Sequence, residues 1–178
     1  MNKKRFLSLL LFIGIFQSYS QTSPETKGIA SGSHTQKWEF ICEDYVYSRN
    51  LEVRIAKTDK GGTLELSEAV SNPEFYIGGT VYIYLEDNTF IVCTDKGLHQ
   101  NLDGNAISLY TLSQTELNRL KNTAIKSIRF TIKGIRGRFQ SQVGNFTAVN
   151  KKQYFDVYDK RIRNSFETEI EIKQLETN

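Results

Sequence analysis

The chain has 178 residues, with 23 Lys and Arg against 20 Asp and Glu and a formal net charge of +3. That length makes one domain with enough core to fold unaided. The positive excess equals the three basic residues Lys3, Lys4 and Arg5, so the rest of the chain is formally neutral, and composition argues against a nucleic-acid binder.

Those three cations precede an apolar run, Phe6 to Phe16, and then the small-residue exit Ser18-Tyr19-Ser20. This is the three-part form of a secretory signal peptide over residues 1–20, cut after Ser20. The run is about half of the ~20 residues that span a bilayer. No second hydrophobic span follows, and no Cys follows the run to take a lipid. The expectation is an exported protein, periplasmic or extracellular, with no transmembrane segment in its mature chain. Residues 21–35 are polar, rich in Gly and Ser and without periodicity, and read as a disordered spacer. Residues 36–178 form the single globular domain.

The first strand is expected over Gln36–Tyr47, with Trp38, Phe40 and Cys42 on one face. Leu51–Lys57 and Thr63–Ser67 read as a hairpin across Asp59-Lys60-Gly61-Gly62. Its Leu51, Val53, Ile55, Leu64 and Leu66 face inward, and Glu52, Arg54 and Glu65 face out. Ser71–Gly79 connects into the stretch around which the chain is organised, Thr80–Thr94. That stretch reads as a hairpin with a two-residue loop at Asp87-Asn88. Such a loop sets Leu85 opposite Phe90, Ile83 opposite Val92, Tyr84 opposite Ile91 and Tyr82 opposite Cys93. Both faces are then apolar, which places the hairpin in mid-sheet with a layer over each face.

Asp95–Asn105 is a turn-rich loop, and Ala106–Leu112 is the next strand. Ser113 and Glu116 form a capping box, with Leu112 and Leu117 as its hydrophobic staple, so Ser113–Thr123 is a short helix. Ile125–Lys133 returns as a strand that buries Ile128, Phe130 and Ile132 and exposes Arg129, Thr131 and Lys133. Gly134–Arg138 is a basic loop and Gln142–Val149 a weaker strand. Asn150 caps a longer helix whose stripe is Tyr154, Phe155, Tyr158 and Ile162, ending in Lys160, Arg161 and Arg163. This helix is expected to cover Tyr82 and Tyr84. Ser165–Leu175 alternates Phe166, Ile170 and Ile172 with glutamates and reads as an edge strand. The fold class is therefore α+β, a mainly antiparallel sheet with one short and one longer helix; a β-sandwich is the alternative.

Charge is segregated along the chain. Residues 113–163 hold 12 Lys and Arg against 3 Asp and Glu, whereas residues 21–112 hold 7 against 13. A strand end and a Gly-flanked loop present Arg129, Lys133, Arg136 and Arg138 together, the candidate site for an anionic envelope polymer or an acidic protein. The competing reading is that this charge is cancelled by acidic strands of the same chain.

The inventory for catalysis is thin. His99 is the one serious general base, with Asp95 or Asp103 beside it, and none of the nucleophile, metalloprotease, phosphate-loop or dinucleotide motifs occurs. Asp95, His99, Asp103 and Asn105 lack the spacing of a calcium loop, and the two His and two Cys are too few and too scattered for a zinc site. No cofactor or metal is expected, and the chain is read as a non-enzyme. Cys42 and Cys93 are either a disulfide, which an oxidising compartment would preserve, or two buried thiols. Tyr82 and Tyr84 either line a pocket for a sugar or peptide strand or lie under a helix.

The stretch from Tyr82 to Ile132, about a third of the chain, resembles a type common among small exported bacterial proteins of unknown function. It runs strand, turn, strand, loop, strand, and then S-x-x-E-L-x-x-L-K into I-x-x-I-R-F. Here those residues are Ser113, Glu116, Leu117, Leu120 and Lys121, then Ile125, Ile128, Arg129 and Phe130. The resemblance implies export and an α+β fold, and it carries no functional residue. The sequence reading is thus an exported, non-enzymatic binding module. Its alternatives are a structural accessory protein without ligand and, less favoured, a hydrolase-type enzyme using His99.

Overall fold

The computed structural model describes residues 33–42, 49–134, 140–154 and 164–175. Ten strands and two helices follow one another: β1 (Trp38–Cys42), β2 (Arg49–Thr58), β3 (Gly61–Ala69), β4 (Tyr76–Ile77), β5 (Val81–Leu85), β6 (Phe90–Cys93), β7 (His99–Leu102), β8 (Asn105–Ser113), α1 (Gln114–Asn122), β9 (Ile125–Lys133), β10 (Gly144–Val149) and α2 (Thr168–Gln174). All ten strands belong to one antiparallel sheet in the order β6-β5-β9-β10-β1-β2-β3-β8-β7, with β4 pairing the far end of β9. The described residues thus form one hydrogen-bonded sheet with little helix and not the two sheets of a sandwich, and α+β holds in its broad sense.

The sheet curls into a half-barrel. Its two ends approach, because Ser108 Oγ donates to Ile77 O and Tyr110 Oη to Gly79 O at 3.3 Å. Alternation along the strands sends Leu51, Val53, Ile55, Leu64, Leu66, Ile83, Leu85, Ile128, Phe130 and Ile132 inward, where each is buried. Gly61, at φ +138°, permits the close approach of β3 to β8: a Cβ there would lie 2.2 Å from Leu112 O. The loop between β2 and β3 is accordingly shortened to Asp59-Lys60, and both glycines join the strand. Within Asp95–Asn105 a further strand, β7, turns into β8 through Asp103 (φ 50°) and Gly104 (φ 78°), the pair of positive φ values that a tight two-residue hairpin needs.

Helix α1 carries the expected capping box: Ser113 Oγ accepts from Glu116 N, and Ser113 N donates to Glu116 Oε2 at 2.7 Å. Its buried Leu117 and Leu120 join the core, and α2 packs beside it. Residues 165–175 are not an edge strand. Thr168, Ile172 and Leu175, spaced by four and three, are buried, and Ile170, which the strand reading placed with Ile172, is exposed. The segment is anchored by Asn150. Its amide donates to Ile125 O at 2.7 Å and to Phe166 O at 3.0 Å, and its oxygen accepts from Phe166 N at 2.8 Å. Asn150 is therefore a buried latch and not a helix cap, and residues 150–154 are non-helical. The rest of the expected longer helix lies outside the described residues.

The hairpin over 80–94 also departs from expectation. Its loop has three residues, Glu86–Asn88. Asn88 N donates to Leu85 O at 3.1 Å and Leu85 N to Thr89 O at 2.9 Å, with Asn88 at φ 62°. The register therefore slips by one, pairing Tyr84 with Phe90, Ile83 with Ile91, Tyr82 with Val92 and Val81 with Cys93. A slip of one residue exchanges the two faces of a strand. Ile91 and Cys93 go inside with Ile83 and Leu85, while Phe90 and Val92 emerge beside Tyr82 and Tyr84. The hairpin lies at the end of the sheet and not in its middle, and only its inner face is in the core.

Cys42 and Cys93 are both buried in the core, and no disulfide joins them in this structure. β10, β9 and β5 lie between their strands in the sheet.

Candidate binding site on the outer sheet face

Strands β5, β9 and β10 run side by side, and their outward side chains fall into rows. One row across the sheet is Val92, Tyr82, Arg129 and Thr147; the next is Phe90, Tyr84, Ser127 and Val149. Phe90 lies between the two tyrosines, its centroid 6.3 Å from Tyr82 and 6.1 Å from Tyr84, with interplanar angles of 59° and 50°. Phe90 is 51% exposed and Val92 44%, so a cluster of rings faces water. A depression of about 380 Å³ opens where this cluster meets β9, lined by Tyr84, Asn88, Lys126, Ser127, Arg129 and Thr147 among others.

Lys126 reaches this face through an irregularity. The pairing of β5 with β9 shifts between Tyr84 and Leu85, opposite Ser127 and Ile125, so that Lys126 and Ser127 both lie outside the core. Arg129 is exposed and, among the described residues, makes neither a hydrogen bond nor an ion pair. The ion pairs between described residues lie elsewhere: Lys37–Glu52 at 2.7 Å, Arg49–Glu68 at 3.0 Å and Arg54–Glu65 at 3.9 Å. They bind the first three strands to one another. Glu52, Glu65 and Glu68 are thus met by Lys37, Arg54 and Arg49, and among the described residues Lys126 and Arg129 of β9 touch no carboxylate.

Of the four basic residues singled out by sequence, the structure places Arg129 at the centre of this face. Lys133 stands four residues further along β9, roughly 13 Å away at strand rise, with Nζ 6.0 Å from the Tyr76 ring centroid. Arg136 and Arg138 lie outside the described residues. Sequence reasoning missed Lys126, Ser127, Thr147 and the outward turn of Phe90, because each depends on register or on a bulge. The juxtaposition of Tyr82 with Arg129 joins residues 47 positions apart, and no local signal announces it.

A second group of titratable side chains surrounds His99. The imidazole is exposed and stacks on Tyr76, with centroids 4.3 Å apart and an interplanar angle of 17°. Asp95 spends both carboxylate oxygens on backbone amides: Oδ2 accepts from Gly79 N at 2.6 Å and Oδ1 from Gly97 N at 2.7 Å. Burial works to raise its pKa, but those two amides, helped by Lys133 and His99, outweigh it and hold the carboxyl below its ordinary value. Asp95 thus acts as a staple between two loops. Asp103 occupies the hairpin turn, and among the described residues no group of three or more His, Cys, Asp or Glu is placed to hold a metal ion. No helix of the described residues is long and apolar enough to cross a membrane. No family model, no curated protein and no solved structure matches the chain.

Proposed function

We infer that this protein is an exported, non-enzymatic module that binds an anionic partner on the outer face of β5, β9 and β10. The observation that carries this reading is the uncompensated Arg129, exposed between Tyr82 and Thr147 and joined by Lys126 at the same depression. Arg49 and Arg54, by contrast, each stand against a carboxylate of the same sheet. Lys133, Arg136 and Arg138 extend the positive segment along the chain beyond this centre. Export rests on the leader-like residues 1–20, which lie outside the described residues. An enzyme built on His99 would draw on Asp95 or Asp103; both Asp95 oxygens accept from backbone amides, and Asp103 lies in the β7–β8 turn.

The test is a titration of the purified protein with dextran sulfate at low and at moderate salt, followed by thermal shift and calorimetry. Binding should weaken as salt rises, and Arg129→Ala should lower affinity about tenfold, the order expected for a central arginine. Absence of binding at low salt, or equal binding by the variant, overturns the assignment.

A further inference from the structure

The outer face sets an exposed Phe90 and the half-buried Tyr82 and Tyr84 beside cations that touch no carboxylate among the described residues, and that combination narrows the class of anion. We propose that the partner is an acidic polysaccharide, a chain of sugar rings bearing carboxylates, whose rings lie on Tyr82, Tyr84 and Phe90 and whose carboxylates meet Arg129 and Lys126. The proposal rests on the anion-binding reading above and names its ligand.

The apolar half of the argument is the ring cluster. Tyr82 and Tyr84 are two positions apart on β5, about 6.7 Å along the strand, and Phe90 fills the space between them at a tilt. The C–H faces of a sugar ring match such a surface, which offers no deep apolar slot. Neither tyrosine hydroxyl is hydrogen-bonded among the described residues. With Ser127, Thr147 and the Asn88 amide around the depression, they supply the small donors and acceptors that a hydroxyl-rich ligand needs.

The polar half is the position of the cations. Arg129 is the register partner of Tyr82 across β5 and β9, so the two backbones run one strand spacing, about 4.8 Å, apart and its side chain leaves the sheet on the same face as the rings. A guanidinium there grips a carboxylate in bidentate fashion beside a sugar ring seated on the aromatics. Charge also argues against a denser polyanion. Lys126 and Arg129 flank the rings on the β9 side, whereas the hairpin loop at the end of the ring column carries Glu86 and Asp87, both exposed. Among the described residues Arg119 is the one cation in contact there, donating to Thr89 Oγ1 at 2.7 Å and Phe90 O at 3.2 Å. A phosphodiester strand, with a charge at every link and a need for a basic groove along its backbone, would meet those carboxylates. A sugar chain can set a hydroxyl edge against them.

The experiment compares polygalacturonate, uncharged dextran, dextran sulfate and oligothymidylate at matched salt. It uses the wild type, Arg129→Ala and the pair Tyr82→Leu/Tyr84→Leu, which removes the rings and keeps apolar bulk on the strand. Circular dichroism and melting temperature report that each variant is folded. Polygalacturonate should bind best and uncharged dextran not at all. Affinity for polygalacturonate should drop at least tenfold in Arg129→Ala and at least fivefold in the leucine pair. Equal binding of all three polyanions with no effect of the leucine pair overturns the polysaccharide and leaves the general anion site standing. Preferential, ring-dependent binding of oligothymidylate overturns it in favour of single-stranded nucleic acid. If no polyanion binds, both readings fall.

Discussion

The hairpins β2–β3 and β5–β6 send the same kind of side chain inward and differ in what they show to water. On β2–β3, Arg54 stands opposite Glu65, and the neighbouring Lys37 and Arg49 reach Glu52 and Glu68. That surface is settled within the fold. On β5–β6 the outward set is Tyr82, Tyr84, Phe90 and Val92, and the adjoining strand adds an unpaired Arg129. Large apolar groups left in water gain nothing for folding, and they mark contact surfaces. One hairpin therefore spends its outer charges on itself, and the other leaves its rings and the adjoining Arg129 to solvent.

The comparison breaks first inside the barrel, where the two hairpins should behave alike. Leu64→Ala and Ile83→Ala both remove fully buried side chains. Each should cost about 3 kcal/mol, within the range for cavity-forming substitutions, as read from urea unfolding. A much smaller cost for Ile83→Ala would mean that β5–β6 is not part of the common core.

Asn150→Ala comes next. The amide is buried and makes three hydrogen bonds to backbone groups of residues 125 and 166. Losing it leaves those groups unsatisfied at roughly 2 kcal/mol. Hydrogen exchange should quicken in α2 and leave the β2–β3 ladder unchanged.

The interior should also be visible in alkali. Burial, with Glu116 nearby, pushes the Cys93 thiol up to about 12 from 9.0. In the unfolded chain the thiol ionises at its ordinary value, so the stability held by the neutral buried form is fully present below pH 9 and is lost as pH rises towards 12. Tyr110 is raised first by burial and then by Asp95 and Cys93, and it acts in the same direction. Unfolding free energy measured between pH 8 and 11 should fall, and the fall should be shallower in Cys93→Ala.

The smallest effects on stability are expected outside. The Arg54–Glu65 pair, 3.9 Å apart, should contribute under about 0.5 kcal/mol, so Arg54→Ala should leave unfolding nearly unchanged. Tyr84→Ala should cost little more. The two variants should separate in binding: Arg54→Ala keeps its affinity for polygalacturonate, and Tyr84→Ala weakens it severalfold. Equal affinities would erase the distinction between the two faces.

Much of the fold was legible because its signals are local. The alternation of Leu51, Val53 and Ile55 with Glu52 and Arg54 marks both the strand and its wet side, and Ser113 with Glu116 marks the start of a helix. Two segments were ambiguous for physical reasons. Residues 166–175 satisfy a period of two through Phe166, Ile170 and Ile172. They also satisfy a helical spacing through Thr168, Ile172 and Leu175, and packing against α1 together with the Asn150 latch selects the helix. At residues 86–89 the same composition suits a two- or a three-residue loop. There Asn88 in the left-handed region, with Asp87 Oδ1 accepting from Thr89 N at 2.9 Å, selects the longer one. The candidate site inherits that ambiguity, since one residue of register decides whether Phe90 or Ile91 meets solvent.

By itself, then, the sequence determined which residues prefer strands, where the first helix begins, which hairpin is half wet, and that positive charge gathers after residue 112. Those properties follow from propensity, pattern and capping, which act over a few residues. Tertiary structure alone decided that β5 lies against β9, that Lys126 is turned outward where the register shifts, and that Arg129 stands unpaired beside Tyr82. Strand order and register are set by the collective burial of side chains distant in the chain, and the chemistry of the outer face exists only once they are in place.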